Sequence, residues 1–400
     1  MRALIRAGSA SYFLIGLATV IFGALLPEIL HYYGQSYSGG GELVFAQFAG
    51  FLVGVLTSPV SAERLGYRGA LFLSVISFST AQFVLALRPS WHLIVLLAAV
   101  NGFGFGMTQT VVGTLILEST ERAKAVAMSR LEVFFGLGAL LMPVVASLLI
   151  AIGAWNVSFA ILGFGALSLL VMWGRRPWEN AQTATVMPVK GSSRPQAGTA
   201  AGGDRRGAVL LLALFIGLIL MYVGVETSII NFLPSLLIRH IHLRSSVASL
   251  SVTAFWGAMT VGRIFAGAIA EKLYYSRYLL WSNVGALAVL AGIALTGNVW
   301  GVFLLVLLLG VMMSGMFSIS LVFANHVVAG TAKKTTSILI ASGGIGGSLF
   351  PLLMGWSMDR LAAQGTIWIL AMFTFLMLLL LVAIARISRL RGKKAIPQTE

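Results

Sequence analysis

The chain has 400 residues, 58% of them hydrophobic and only 10% charged, with a formal net charge of +15 and no cysteine. A soluble globular domain carries about a quarter charged residues, so the composition excludes an ordinary soluble fold and points to a polytopic membrane protein. The lack of cysteine excludes disulfides, thiolate metal sites and cysteine nucleophiles, and the positive excess sits between apolar runs, where it implies no nucleic-acid partner.

Apolar stretches of membrane-crossing length recur at 8–30, 42–61, 70–88, 92–118, 125–151 and 156–174, then at 207–238, 245–269, 278–297, 300–329, 335–358 and 366–386. Each can cross a hydrocarbon core about 30 Å thick as a helix, whereas a β-barrel would show short alternating segments. The first follows two arginines and is too long for a signal-peptide core, so it reads as a helix that stays in the membrane. The expected fold class is therefore an all-α polytopic membrane protein with twelve transmembrane helices in two pseudo-symmetric six-helix bundles. Residues 1–174 and 207–386 form the bundles, 175–206 a polar linker rich in Gly, Pro, Ala and Ser, and 387–400 a tail. With the N-terminus assigned to the cytoplasm, 21 of the 27 lysines and arginines fall at cytoplasmic positions and four outside. The positive-inside rule then places both termini and the linker in the cytoplasm of a multi-pass cell-membrane protein.

The two halves resemble each other. A shift of 208 residues brings Gly136, Gly138 and Pro143 onto Gly344, Gly346 and Pro351, and Gly54, Glu63 and Arg64 onto Gly262, Glu271 and Lys272. A shift of 207 aligns "LPEIL" at the end of the first apolar segment with "LPSLL" at the end of the seventh. Repeated six-helix halves are how many secondary transporters are built.

The segment "PVSAERLGYR" keeps Ala62, Glu63, Arg64, Gly66 and Arg68 of a loop signature between the second and third helices, and "GAIAEKLYYSR" keeps Gly267, Ala270, Glu271 and Lys272 in the second half. On these residues the chain resembles the major facilitator superfamily over essentially its whole length. The stretches "RLEVFFGLGALLMP", "GFGFGMTQTVVGTLI" and "GVETSIINFLPSLL" are similar to its fucose and glucose permease-like branch, which implies a proton-linked sugar importer. A carboxylate beside cations in a short loop can lock two helix ends in one state and release them in another. Glu63, Arg64, Arg68, Arg263, Glu271 and Lys272 are accordingly grouped as a conformational latch.

Two acids lie deep in apolar runs. Glu226 belongs to "MYVGVETSIINFLPSLL", and Glu132 follows Arg130 in the fifth segment. An ionisable group at membrane depth faces the bundle interior or a water-filled cavity, so both are candidates for proton coupling, with a structural ion pair to Arg263 as the other reading of Glu132. Tyr222 lies one helical turn before Glu226 on the same face. With Tyr12, Thr19, Gln109, Thr110, Asn231 and Ser318 it completes the expected substrate cavity on the first, fourth, seventh and tenth segments. Glycines 102, 104 and 106 are expected to permit close helix packing. No phosphate-binding loop, paired catalytic carboxylates or metal-ligand cluster is legible, so neither an enzyme nor a cofactor is expected. The leading expectation is a monomeric secondary transporter, proton-coupled, that moves a small polar organic solute such as a sugar by alternating access. The other is a proton-driven exporter of amphipathic or cationic compounds.

Overall fold

A computed structural model describes residues 2–119, 124–175, 205–328 and 332–394. Most of the expected linker at 175–206 and the end of the expected tail, 395–400, lie outside the described residues. Twelve α-helices account for the fold: α1 (Arg2–Tyr33), α2 (Tyr37–Ala86), α3 (Trp91–Ser119), α4 (Lys124–Ala151), α5 (Val157–Gly174), α6 (Arg205–Ile241), α7 (Ser245–Leu273), α8 (Tyr275–Leu295), α9 (Val299–Met313), α10 (Met316–Val327), α11 (Ala332–Arg360) and α12 (Ala363–Lys394). Among the described residues no strand is present, as hydrocarbon demands when every backbone polar group must be satisfied within its own segment.

Helices and crossings do not correspond one to one. The 50 residues of α2 hold the second and third expected spans, joined through a kink at Gly66. In contrast, the tenth expected span is broken: α9 ends at Met313, and Ser314 and Gly315 form a turn before α10. The twelve crossings therefore stand, and their even number brings Arg2 and Lys394 to one end of the bundle, called here the termini end.

The kink has a backbone cause. Gly66 has φ 68° and ψ 167°, with open space where a Cβ would stand, so conformation rather than room demands glycine there. Exactly one repeat length later, Tyr274 has φ 67° and ψ 137° and separates α7 from α8. The second half thus makes the same turn with a residue that carries a side chain, where the left-handed region costs about 1–2 kcal/mol. The repeat is visible in backbone geometry as well as in letters.

Packing within the bundles follows the membrane pattern of small residues at contacts and hydrogen bonds between polar side chains. A Cβ on Gly102 would meet the Gln47 carbonyl at 1.8 Å, and one on Gly106 the Phe51 carbonyl at 2.5 Å, so α3 lies directly against α2. Gln82 donates to Asn101 at 2.6 Å, and the Trp173 indole donates to Ser11 at 3.0 Å. Large apolar side chains such as Leu148, Phe164, Ile264 and Trp300 are exposed and form the lipid face.

The halves touch along two seams. Between α4 and α7, Ser249 donates to the Pro143 carbonyl and Thr253 to the Leu140 carbonyl, while Gly136 faces Thr260. Between α2 and α11, Gly41 packs on Pro351 and Gly355 on Tyr37. Asn231 of α6 lies against the backbone of Gly23 in α1. These contacts run from mid-depth to the end away from the termini.

Replacing Gly66 by Ala is expected to destabilise the protein by about 1–2 kcal/mol, whereas Tyr274→Gly should leave thermal stability unchanged or raise it. Thermal unfolding of the detergent-solubilised protein checks this, and a greater loss from Tyr274→Gly than from Gly66→Ala would contradict the strain assignment.

Candidate functional site

Between the seams, three helices bring charge together. Glu226 lies past the middle of α6 with its side chain 13% exposed, and Arg263 of α7 approaches it at 3.7 Å. A charge-assisted hydrogen bond measures about 2.7–2.9 Å, so the pair is engaged loosely. The Arg263 side chain runs along its own helix, its guanidinium 3.2 Å from the Met259 sulfur and stacked 5.4 Å from the Trp256 ring centre. Trp256 in turn meets Phe135 of α4 edge-on at 5.8 Å. This carries Arg263 towards the other half, where Glu132 of α4 lies within its electrostatic reach. Glu132 is exposed although it projects inward between α1 and α7. Arg263 therefore stands between two carboxylates contributed by opposite halves.

The latch grouping placed Arg263 with Glu271 and Lys272; its guanidinium lies on Glu226 instead. Glu63, Arg64, Arg68, Glu271 and Lys272 are all exposed at the termini end. Arg68 stacks over Phe72 at 5.5 Å, and the single ion pair among the described residues is Arg263 with Glu226. The loop charges are accordingly solvated and disengaged from one another.

Tyr222 is buried, and its hydroxyl donates to the Met313 carbonyl at 2.9 Å. That carbonyl is left without its ordinary helical donor by the break after α9, so the broken span and Tyr222 explain each other. The same hydroxyl lies close to Glu226. Tyr12 of α1 is also buried, donates to the Gln109 carbonyl at 3.2 Å and lies near Glu132. Thr19, Gln109 and Thr110 are partly buried, with Thr19 and Thr110 bonded to carbonyls one turn back in their own helices. Asn231 is fully buried, donating to the Thr227 carbonyl at 2.8 Å, and its Oδ1 has no partner among the described residues. Ser318 is exposed on α10. The structure thus gathers Glu132, Glu226 and Arg263 with Tyr12 and Tyr222, while Asn231 belongs to the seam between α1 and α6.

Sequence reasoning passed over Gln47, a fully buried side chain that donates to the Ala18 carbonyl at 3.2 Å and whose Oε1 lacks a partner among the described residues. Its only signal was an amide within an apolar run.

The chain matches the Major Facilitator Superfamily over residues 8–227 and again over 214–400. It belongs to the major facilitator superfamily. As a member, this facilitator is a transporter and not an enzyme. It is 30% identical over 363 residues to the glucose/mannose transporter GlcP of Bacillus subtilis (strain 168), covering 88% of this chain and 87% of the relative. It is 24% identical over 343 residues to the 4-hydroxybenzoate transporter PcaK of Pseudomonas putida, covering 76% and 74% respectively. A crystal structure of a D-xylose-proton symporter shares the fold with a TM-score of 0.76 at 15% identity, over 95% of this chain and 96% of that one.

The end of the facilitator away from the termini is closed by a contact the sequence did not suggest. Asp359, in the last turn of α11, accepts hydrogen bonds from the Tyr37 amide at 2.9 Å, from the Ser38 amide at 2.8 Å and from the Ser38 hydroxyl. A carboxylate of one half thus caps the helix that opens the second span of the other, where amides and helix dipole both favour negative charge. Beside it, Arg239 of α6 donates to the Met358 carbonyl and stacks 5.3 Å from the Tyr37 ring centre.

Loss of the cap in Asp359→Ala should weaken this closure by about 1–2 kcal/mol. With Ser235→Cys introduced at a buried position of α6, a thiol reagent applied from that end should label the Asp359→Ala protein several times faster than the parent. Equal labelling rates would mean that the closure rests elsewhere.

Proposed function

We propose that this facilitator moves a sugar across the cell membrane together with protons, with Glu226 as the coupling group. The halves 1–174 and 207–386, joined by the 175–206 linker, would alternate about the central cluster, each chain acting as a monomer. One observation carries the coupling assignment: the Tyr222 hydroxyl has a single proton and two claimants. While it donates to the Met313 carbonyl, it offers Glu226 only a lone pair, which a protonated carboxyl can use and a carboxylate cannot. Ionisation of Glu226 would draw the hydroxyl proton away from Met313 and strengthen the pull on Arg263. The charge state of Glu226 is thereby tied to the break between α9 and α10 and to α7.

Support for a sugar comes from the 30% identity to a glucose/mannose transporter over most of both chains, and from two buried amide oxygens beside α1. The Oδ1 of Asn231 and Oε1 of Gln47 are acceptors without partners among the described residues, suited to hydroxyl donors. Arg263 offsets one of the two carboxylates, and no observation among the described residues singles out a cationic cargo over a sugar, so the exporter reading is not preferred. Disengaged charges at the termini end and the Asp359 cap at the other describe an inward-facing state if the termini are cytoplasmic.

In proteoliposomes, Glu226→Gln should abolish accumulation of hexose driven by a proton gradient while permitting exchange down a concentration gradient. Tyr222→Phe should retain accumulation at a reduced rate, and Glu132→Gln should be milder than Glu226→Gln. Normal accumulation with intact pH dependence in Glu226→Gln would remove Glu226 from coupling. Binding of the sugar itself is checked by the rise in thermal stability that a native-state ligand produces, about 2.7 kcal/mol at a hundred times its Kd.

Orientation follows from charge bias. In this cysteine-free chain, an impermeant thiol reagent on intact cells should label Ser90→Cys and spare Ser193→Cys, and the opposite pattern would invert the topology.

A further inference from the structure

We propose that a crevice between α1 and α4 at the termini end holds the headgroup of an anionic phospholipid. The crevice has a volume of about 690 Å³ and is lined by Arg6, Ser9 and Phe13 of α1 and by Arg130 and Phe134 of α4, among others. It lies on the lipid side of the bundle. Leu137, Leu141 and Leu148 follow Arg130 at seven, eleven and eighteen positions, on one strip of α4, and are 45%, 41% and 65% exposed. Glu132 and Gly136 face the other way, Gly136 against Thr260 of α7. Arg130 therefore projects away from the transport cleft and takes no part in the central cluster.

Both arginines lie within the first two turns of helices that rise side by side from the termini end, so their guanidiniums sit near one level, at the edge of the hydrocarbon. Both are exposed, and the single ion pair among the described residues involves neither. A cation at such a depth is costly without a counter-charge. Two planar forks from neighbouring helices suit a phosphate oxygen cluster, and Phe13 and Phe134 offer apolar wall to the acyl chains that hang from it. A free phosphate satisfies the charge but not the aromatic wall. A lipid satisfies both, as basic pockets between transmembrane helices do.

The test uses the full chain, purified in neutral detergent and titrated with phosphatidylglycerol, phosphatidylcholine or inorganic phosphate, with thermal stability and native mass spectrometry as readouts. Phosphatidylglycerol is expected to stabilise and remain bound where phosphatidylcholine does not. Its apparent affinity should fall roughly fivefold for each of Arg6→Gln and Arg130→Gln, while Arg360→Gln, an exposed arginine at the other end, keeps the wild-type value. The single variants each retain one guanidinium and give the reading even if the double variant does not fold. Undiminished affinity in both single variants overturns the site, as does equal stabilisation by phosphatidylcholine. Equal stabilisation by inorganic phosphate at the same concentration overturns the lipid assignment.

Discussion

Hydrocarbon offers no hydrogen bonds, so every polar group at membrane depth must find a partner in the protein or stand in a water-filled cleft. That constraint arranges the facilitator. Gln82 takes Asn101, Trp173 takes Ser11, and the carbonyl freed by the broken span takes the Tyr222 hydroxyl. Charge that cannot be neutralised by such neighbours is gathered in the cleft, with Arg263 between Glu226 and Glu132. The chemistry sits where the membrane would otherwise forbid it.

The two ends of the molecule are held by different physics. At the end away from the termini, backbone meets backbone through small residues, and a carboxylate caps the amides of a helix in the other half. Such contacts are short-ranged. At the termini end the loop charges stand in solvent, ready to interact over longer distances but weakly. The closure away from the termini is made of a few bonds of about 1 kcal/mol each.

Membership of the superfamily assigns the fold and the transporter class, while the cargo is decided by side chains within the cleft. Glu226 and Arg263 stand 3.7 Å apart, looser than a charge-assisted hydrogen bond of about 2.7–2.9 Å. A tight, fully bonded pair would have been a structural staple. Asn231 and Gln47 both lie against α1, each with a side-chain oxygen that has no partner among the described residues.

The sequence alone determined the number of crossings, because span length is fixed by hydrocarbon thickness, and the two-fold repeat, because glycines, prolines and loop charges recur at one offset. It also made Glu226 and Glu132 conspicuous, since an acid in an apolar run is rare whatever its neighbours. Tertiary structure decided which groups meet. Arg263 read either as part of a loop latch or as a partner for Glu132; only the crossing of α6 and α7 sets it on Glu226. The break at Ser314 and Gly315 could not be read from a continuous apolar run, since its freed carbonyl is satisfied by a tyrosine some ninety residues earlier. Asp359 carries no local signal for its role, because its partners, the Tyr37 and Ser38 amides, lie more than three hundred residues away in the chain. Hydropathy is a property of each segment by itself and survives in the sequence, whereas pairing between helices depends on their rotation and depth relative to one another, which the packed bundle alone sets.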